Sequence, residues 1–129
     1  MQIHYLNCDN KYKLFSFHRH DYKTKEINGI TYMIDGGLND YIRASTYGEI
    51  EYAEVKDVIK DIREQLSWGK NYDANKKLLP KTEYVLLKDI EDKHLEALID
   101  YTNGRNDKHG LIINDIFKQE KEYRKLLNK

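Results

Sequence analysis

The densest titratable chemistry in the chain lies in residues 18–43, HRHDYKTKEINGITYMIDGGLNDYIR. His18, Arg19, His20 and Asp21 come first, then Asp35, Gly36 and Gly37, then Asp40, Tyr41 and Arg43. In an extended segment His18 and His20 share one face, and Arg19 and Asp21 the other. Two imidazoles on one face can grip a phosphate, ligate a metal, or act as acid and base near neutral pH. The structural alternative has Asp21 capping the turn after a strand and Arg19 pairing with a carboxylate across a sheet. Asp35-Gly36-Gly37 reads either as a tight turn closed by a local Asp hydrogen bond or as a nest of backbone amides around an anion. Arg43 offers bidentate contact to phosphate or carboxylate. Its alternative is an ion pair with Asp21, Asp35 or Asp40, and the two uses are compatible because a carboxylate often orients an arginine. The expected ligand-binding set is therefore His18, Arg19, His20, Asp35, Gly36, Gly37, Asp40, Tyr41 and Arg43.

The elements that must position this set are legible from period and punctuation. Residues 2–7 and 12–17 read as short strands, separated by turn chemistry at Cys8-Asp9-Asn10-Lys11. Lys25-Glu26-Ile27 and Ile30 to Ile34 flank Asn28-Gly29, the strongest short hairpin signal. Gly36-Gly37 ends the return strand, and residues 41–52 predict a further strand or irregular arm. The period then changes. Val55, Val58, Ile59, Ile62 and Leu66 make one apolar stripe on a helix of about four turns, stopped by Trp68-Gly69. Residues 69–82, polar and holding the only proline, predict an exposed loop with a local concentration of lysines at 70, 76, 77 and 81. Residues 83–87 predict a strand or buried connector. Ile90, Leu95, Leu98 and Ile99 mark a second helix ended by Gly104, with His94 at the core edge. Residues 103–110 predict a loop with a solvated His109, and a third, charged helix runs to the C-terminus. The fold class is α+β: one domain over 1–129, β-rich over 1–52 and helical over 53–129.

Composition narrows the function classes. Basic and acidic side chains number 22 each, so the footprint of a bulk duplex-binding protein is absent and any anion must be held by a local cluster. Lone Cys8 cannot close an internal disulfide, which fits a reducing compartment. The N-terminal MQIHYLNCDN lacks a signal-peptide pattern, and no apolar run approaches a membrane span. A cytoplasmic protein without membrane contact is expected. Eleven tyrosines against three phenylalanines suit either a small core with wet edges or a ring-stacking or partner surface. Asp21, Asp35, Asp40, His18 and His20 match no known catalytic spacing for a metal hydrolase. Asn7 and Asp9 beside Cys8 would raise its thiol pKa, which argues against a nucleophile.

The run HRHDY, then IDGG and DYIR, resembles a group of small, largely uncharacterised proteins encoded by bacteriophages and prophages. In that group the pattern is flanked by cysteine knuckles and looks like a zinc ribbon. Trp68-Gly69 and TEYVLLKDIEDKHLEALI look like the C-terminal part of similar phage proteins. Here Lys11 stands where the partner of Cys8 would be, and residues 22–29 hold no cysteine. Cys8, His18 and His20 supply at most three of the four ligands that structural zinc needs, so no metal or cofactor is expected. Tyr12, Phe15, Phe17, Tyr22 and Ile27 would then supply the packing. The resemblance implies a phage-encoded accessory protein in the host bacterial cytoplasm. It would act by binding, against host antiviral defence, either by sequestering a nucleotide signal or by blocking a defence protein. A small phosphodiesterase-type hydrolase using His18 and His20, and an interaction module with no ligand site, are the alternatives. Homo-oligomers are compatible with all three.

Overall fold

A computed structural model describes residues 1–17, 21–38, 42–45, 47–72 and 75–128. The order is β1 (Gln2–Cys8), β2 (Tyr12–Leu14), β3 (Lys23–Ile27), β4 (Ile30–Asp35), β5 (Arg43–Ala44), β6 (Glu49–Glu54), α1 (Val55–Ile62), β7 (Ser67–Tyr72), β8 (Leu78–Leu86), α2 (Asp92–Thr102) and α3 (Lys108–Leu127). Three antiparallel sheets are built in the orders β2-β1-β6, β3-β4-β5 and β7-β8. The α+β class holds.

Both early turns follow local chemistry. Asp9 and Asn10 have φ of 56° and 55°, and Asn28 and Gly29 have 51° and 79°. Two successive left-handed residues give the twist that matches paired strands, and Asn, Asp and Gly tolerate it best. Asn28-Gly29 accordingly joins β3 to β4 with Ile27 opposite Ile30.

β1 is the middle layer. Its side chains alternate faces, and both faces are covered. Ile3 and Tyr5 point into the main core with Phe15, Phe17, Val55, Ile62, Ile116 and Phe117. Leu6 and Cys8 point the other way, into a smaller core with Leu14, Tyr32 and Ile34. The helices thus cover one face of β2-β1-β6, and β3-β4-β5 covers part of the other.

The apolar stripe of α1 buries Val55, Val58, Ile59 and Ile62, but the regular helix ends at Ile62. The chain turns on through Leu66, whose amide still reaches the Ile62 carbonyl. Trp68 does not stop this helix. It lies in β7 with its ring edge-on to Phe117 at 5.3 Å. The largest departure from expectation is here: within the expected loop over 69–82, residues 69–72 and 78–82 lie in the paired strands β7 and β8, inside the half expected to be helical. Further on, α3 starts at Lys108, with Asp107 as its N-cap accepting from the Gly110 amide. Asn114 on α3 donates to the Ile99 carbonyl and to Thr102 Oγ1, fixing α3 against α2. Among the described residues no helix is long and apolar enough to cross a membrane.

Candidate functional site

The segments that flank the predicted site are fastened to one another at a single buried hydroxyl. After β2 the chain buries Phe15 and Phe17, stacked at 5.8 Å, and places Ser16 between them, 1% exposed. Ser16 Oγ accepts from the Gly37 amide at 2.9 Å and donates to the Asp21 carbonyl at 2.8 Å. Asp21 also closes its own loop, since its Oδ2 accepts from the Phe17 amide at 2.8 Å. The turn-capping use of Asp21 is therefore the one realised. Gln65, just past α1, holds the strand before it, accepting from the Phe15 amide and donating to the Lys13 carbonyl.

Two histidines reinforce the same seam. A carbonyl can only accept, so His4 Nε2 donates to the Gly37 carbonyl at 3.0 Å and His109 Nε2 donates to the Phe17 carbonyl at 2.9 Å. His109 is thus no solvated loop residue; it sits in the first turn of α3 and ties that helix to the loop after β2. Burial pushes His4 below its ordinary pKa of 6.5. The Gly37 hydrogen bond opposes that shift and the positive charge of Lys108 adds to it. The ring also meets Tyr52 edge-on at 6.0 Å.

Gly36 and Gly37 are buried, with φ of 116° and 91°, values open to glycine and strained for other residues. Gly37 commits both backbone groups to Ser16 and His4, so the glycine pair serves to dock its strand end, and its second amide is directed inward. Asp35 and Arg43 are register partners across β4 and β5. Arg43 Nη2 donates to Asp35 Oδ2 at 2.7 Å, while the arginine side chain stays 60% exposed. Asp35, one of the three partners named for Arg43, is thus paired with it through the sheet register. His18, Arg19, His20, Asp40 and Tyr41 lie outside the described residues.

Lys23 joins the seam without having been singled out by sequence. Its Nζ is 3.4 Å from Asp21 Oδ2, donates to the Gln65 carbonyl, and lies 4.4 Å over the Phe17 ring. Burial lowers its pKa against the opposing pull of Asp21. Ser16, His4, Lys23 and Gln65 carried no motif. Each has a partner between 21 and 52 positions away in the chain. Of the residues expected to pack the first thirty positions, Phe15 and Phe17 are buried, Tyr12 and Ile27 are half-buried against the smaller core, and Tyr22 is 61% exposed.

Cys8 is buried, and burial raises its thiol to about 11, which removes it as a nucleophile near neutral pH. Among the described residues no group of three or more His, Cys, Asp or Glu side chains is placed to hold a metal ion. A groove of about 240 Å³ between α2 and α3 is lined by Asp92, Leu95, Glu96, Lys121, Arg124 and Lys125. Its charges are spent on each other, with Lys121 on Glu96 at 2.6 Å and Arg124 on Asp92 at 2.8 Å. In comparison with known proteins, no family model, no curated protein and no solved structure matches the chain.

The histidine staple at Gly37 predicts a pH dependence. A histidine whose folded pKa is lowered binds fewer protons folded than unfolded, so its contribution is complete above about 6.5 and is lost as pH falls below that value. His94 is shifted the same way, by burial first and then by Lys70, so some slope persists without His4. Urea unfolding at about pH 7.5 and about pH 5 should show a smaller loss for His4→Gln, whose amide can still donate to Gly37, than for the unaltered chain. Equal losses would remove His4 from the acid sensitivity.

Proposed function

We propose that this chain is a phage-type accessory protein that acts by binding an anionic small molecule, a nucleotide signal of host defence, and not by turning it over. The observation that carries the reading is the double hydrogen bond of Ser16. It fastens the segment leading into His18-Arg19-His20 to the glycine turn leading into Asp40-Tyr41. Arg43, oriented by Asp35 and largely exposed, adds a guanidinium suited to phosphate beside that turn. The phage setting rests on the sequence resemblance, as does location in the host cytoplasm.

Isothermal titration against cyclic oligonucleotides and ADP-ribose-type nucleotides tests the proposal. We expect saturable heat with at least one of them and a loss of about tenfold or more in affinity for Arg43→Ala, the scale of a charge-assisted hydrogen bond. The ligand should be recovered intact after the complex is denatured; new products would instead favour a hydrolase using His18 and His20. Absence of heat with every nucleotide would overturn sequestration and leave occupation of a host defence protein as the mode of action.

A further inference from the structure

The β7-β8 hairpin is a ribbon that leaves the body of the protein. Only its base is packed, through Trp68 on Phe117 and through half-buried Val85. Beyond that both faces are open: Tyr72 is 57%, Leu78 73% and Tyr84 75% exposed. The described part of the ribbon carries Lys70, Lys76, Lys77 and Lys81 against Glu83, in a chain whose charges cancel overall. An exposed two-stranded ribbon buries too little to be explained by stability alone.

One detail gives the ribbon a purpose. Tyr84 pairs with Gly69 across the strands. A Cβ at Gly69 would lie 3.4 Å from Tyr84 Cε1 and 3.1 Å from Thr82 Cγ2. The tyrosine ring therefore lies across bare glycine backbone, held on one side and open to water on the other. Thr82 is itself fixed by donating to Asn71 at 2.6 Å. A ring preset in this way loses little freedom when a flat partner stacks on it.

We infer that the β7-β8 ribbon binds single-stranded nucleic acid, with Tyr84 as a base-stacking platform and lysines 70, 76 and 81 contacting phosphates. Tyr84 shares its face with Gly69, whereas Lys70, opposite Glu83, and Lys81 alternate onto the face of Trp68 and Val85. A single strand would cross the narrow ribbon edge with a base on Tyr84 and its phosphates on the lysines, a combination of stacking and charge suited to unstacked bases. Duplex hides the base faces that Tyr84 would use, and the ribbon has lysines as point charges with no arginine fork for reading base edges. The ribbon is a different element from the Ser16 seam, so this inference stands or falls independently of nucleotide capture there.

Fluorescence anisotropy of the full chain with a labelled oligothymidylate of roughly 15 nucleotides tests it. Saturable binding that weakens steadily as salt rises is expected. Tyr84→Ala should weaken binding about tenfold and Tyr84→Phe should retain it, the scale of one stacked base. Tyr84 is so exposed that neither change threatens folding. Replacing Lys70 and Lys81 together by alanine should flatten the salt dependence. No binding at about 50 mM salt, equal affinity for a duplex of the same length, or an unchanged affinity in Tyr84→Ala would each overturn the inference.

Discussion

Replacing Glu120 by alanine is expected to lower the unfolding free energy by about 3–5 kcal/mol, the cost of breaking a buried ion pair from one side. Glu120 is fully buried on α3. Its two oxygens accept from Arg63 Nε at 2.9 Å and Nη2 at 3.1 Å, and from Arg124 Nε at 2.7 Å. The carboxylate hydrogen bonds hold the Arg63 guanidinium above its ordinary range. Arg124 extends the network to Asp92 and to the Leu87 carbonyl, and Arg63 lies over the Tyr123 ring at 4.8 Å. Removing the one acid leaves two guanidiniums, each only 15% exposed, facing each other, with the largely exposed Asp92 on Arg124 as the remaining carboxylate contact of the pair. Removing either arginine leaves the acid with the other, so each single arginine variant should cost less. Thermal unfolding should show a fall on the order of 10 °C for Glu120→Ala. A shift within a degree or two would mean that the cluster is solvated and energetically idle.

Phe117→Ala is expected to cost a comparable amount, about 3–5 kcal/mol, through lost burial and the cavity left behind. Phe117 is fully buried at the centre of the main core and meets Trp68 edge-on. That second contact makes the variant informative beyond stability. Trp68 is the only tryptophan in the chain, and it anchors the base of the β7-β8 ribbon. Urea unfolding followed by Trp68 emission should show both a lower midpoint and a red-shifted folded-state spectrum, because the indole loses its apolar neighbour. An unchanged folded-state spectrum would show that the ribbon base is held by Val85 and Leu87 without Phe117.

These two residues show how far a single sequence carries. The stripe containing Ile113, Ile116 and Phe117 marks α3 as a core helix by its period alone. Glu120 lies four positions beyond Ile116 on that same stripe and reads as one more charge on a solvated helix. Only the approach of Arg63, 57 positions earlier, turns it into a buried counter-ion. The ribbon lacks a local signature for a related reason. A strand exposed on both faces has no apolar alternation to find, and Pro80 speaks against a central strand. In a two-stranded ribbon every strand is an edge, where proline is tolerated.

At the candidate site the division is the same. The sequence by itself determined the turns at Asp9-Asn10 and Asn28-Gly29, the glycines that end β4, the three apolar helix stripes, and short sets of alternatives for Asp21 and Arg43. Each is written in the φ,ψ preferences or the period of a few adjacent residues. Tertiary structure alone decided that β1 would be covered on both faces and that Asp35 would take Arg43. It also decided that Ser16 would join two loops, and that His4 and His109 would staple them from β1 and α3. Those outcomes depend on which polar groups lose water together when distant segments close on each other. A buried donor must find an acceptor wherever the fold brings one, and that pairing has no local signature in the chain.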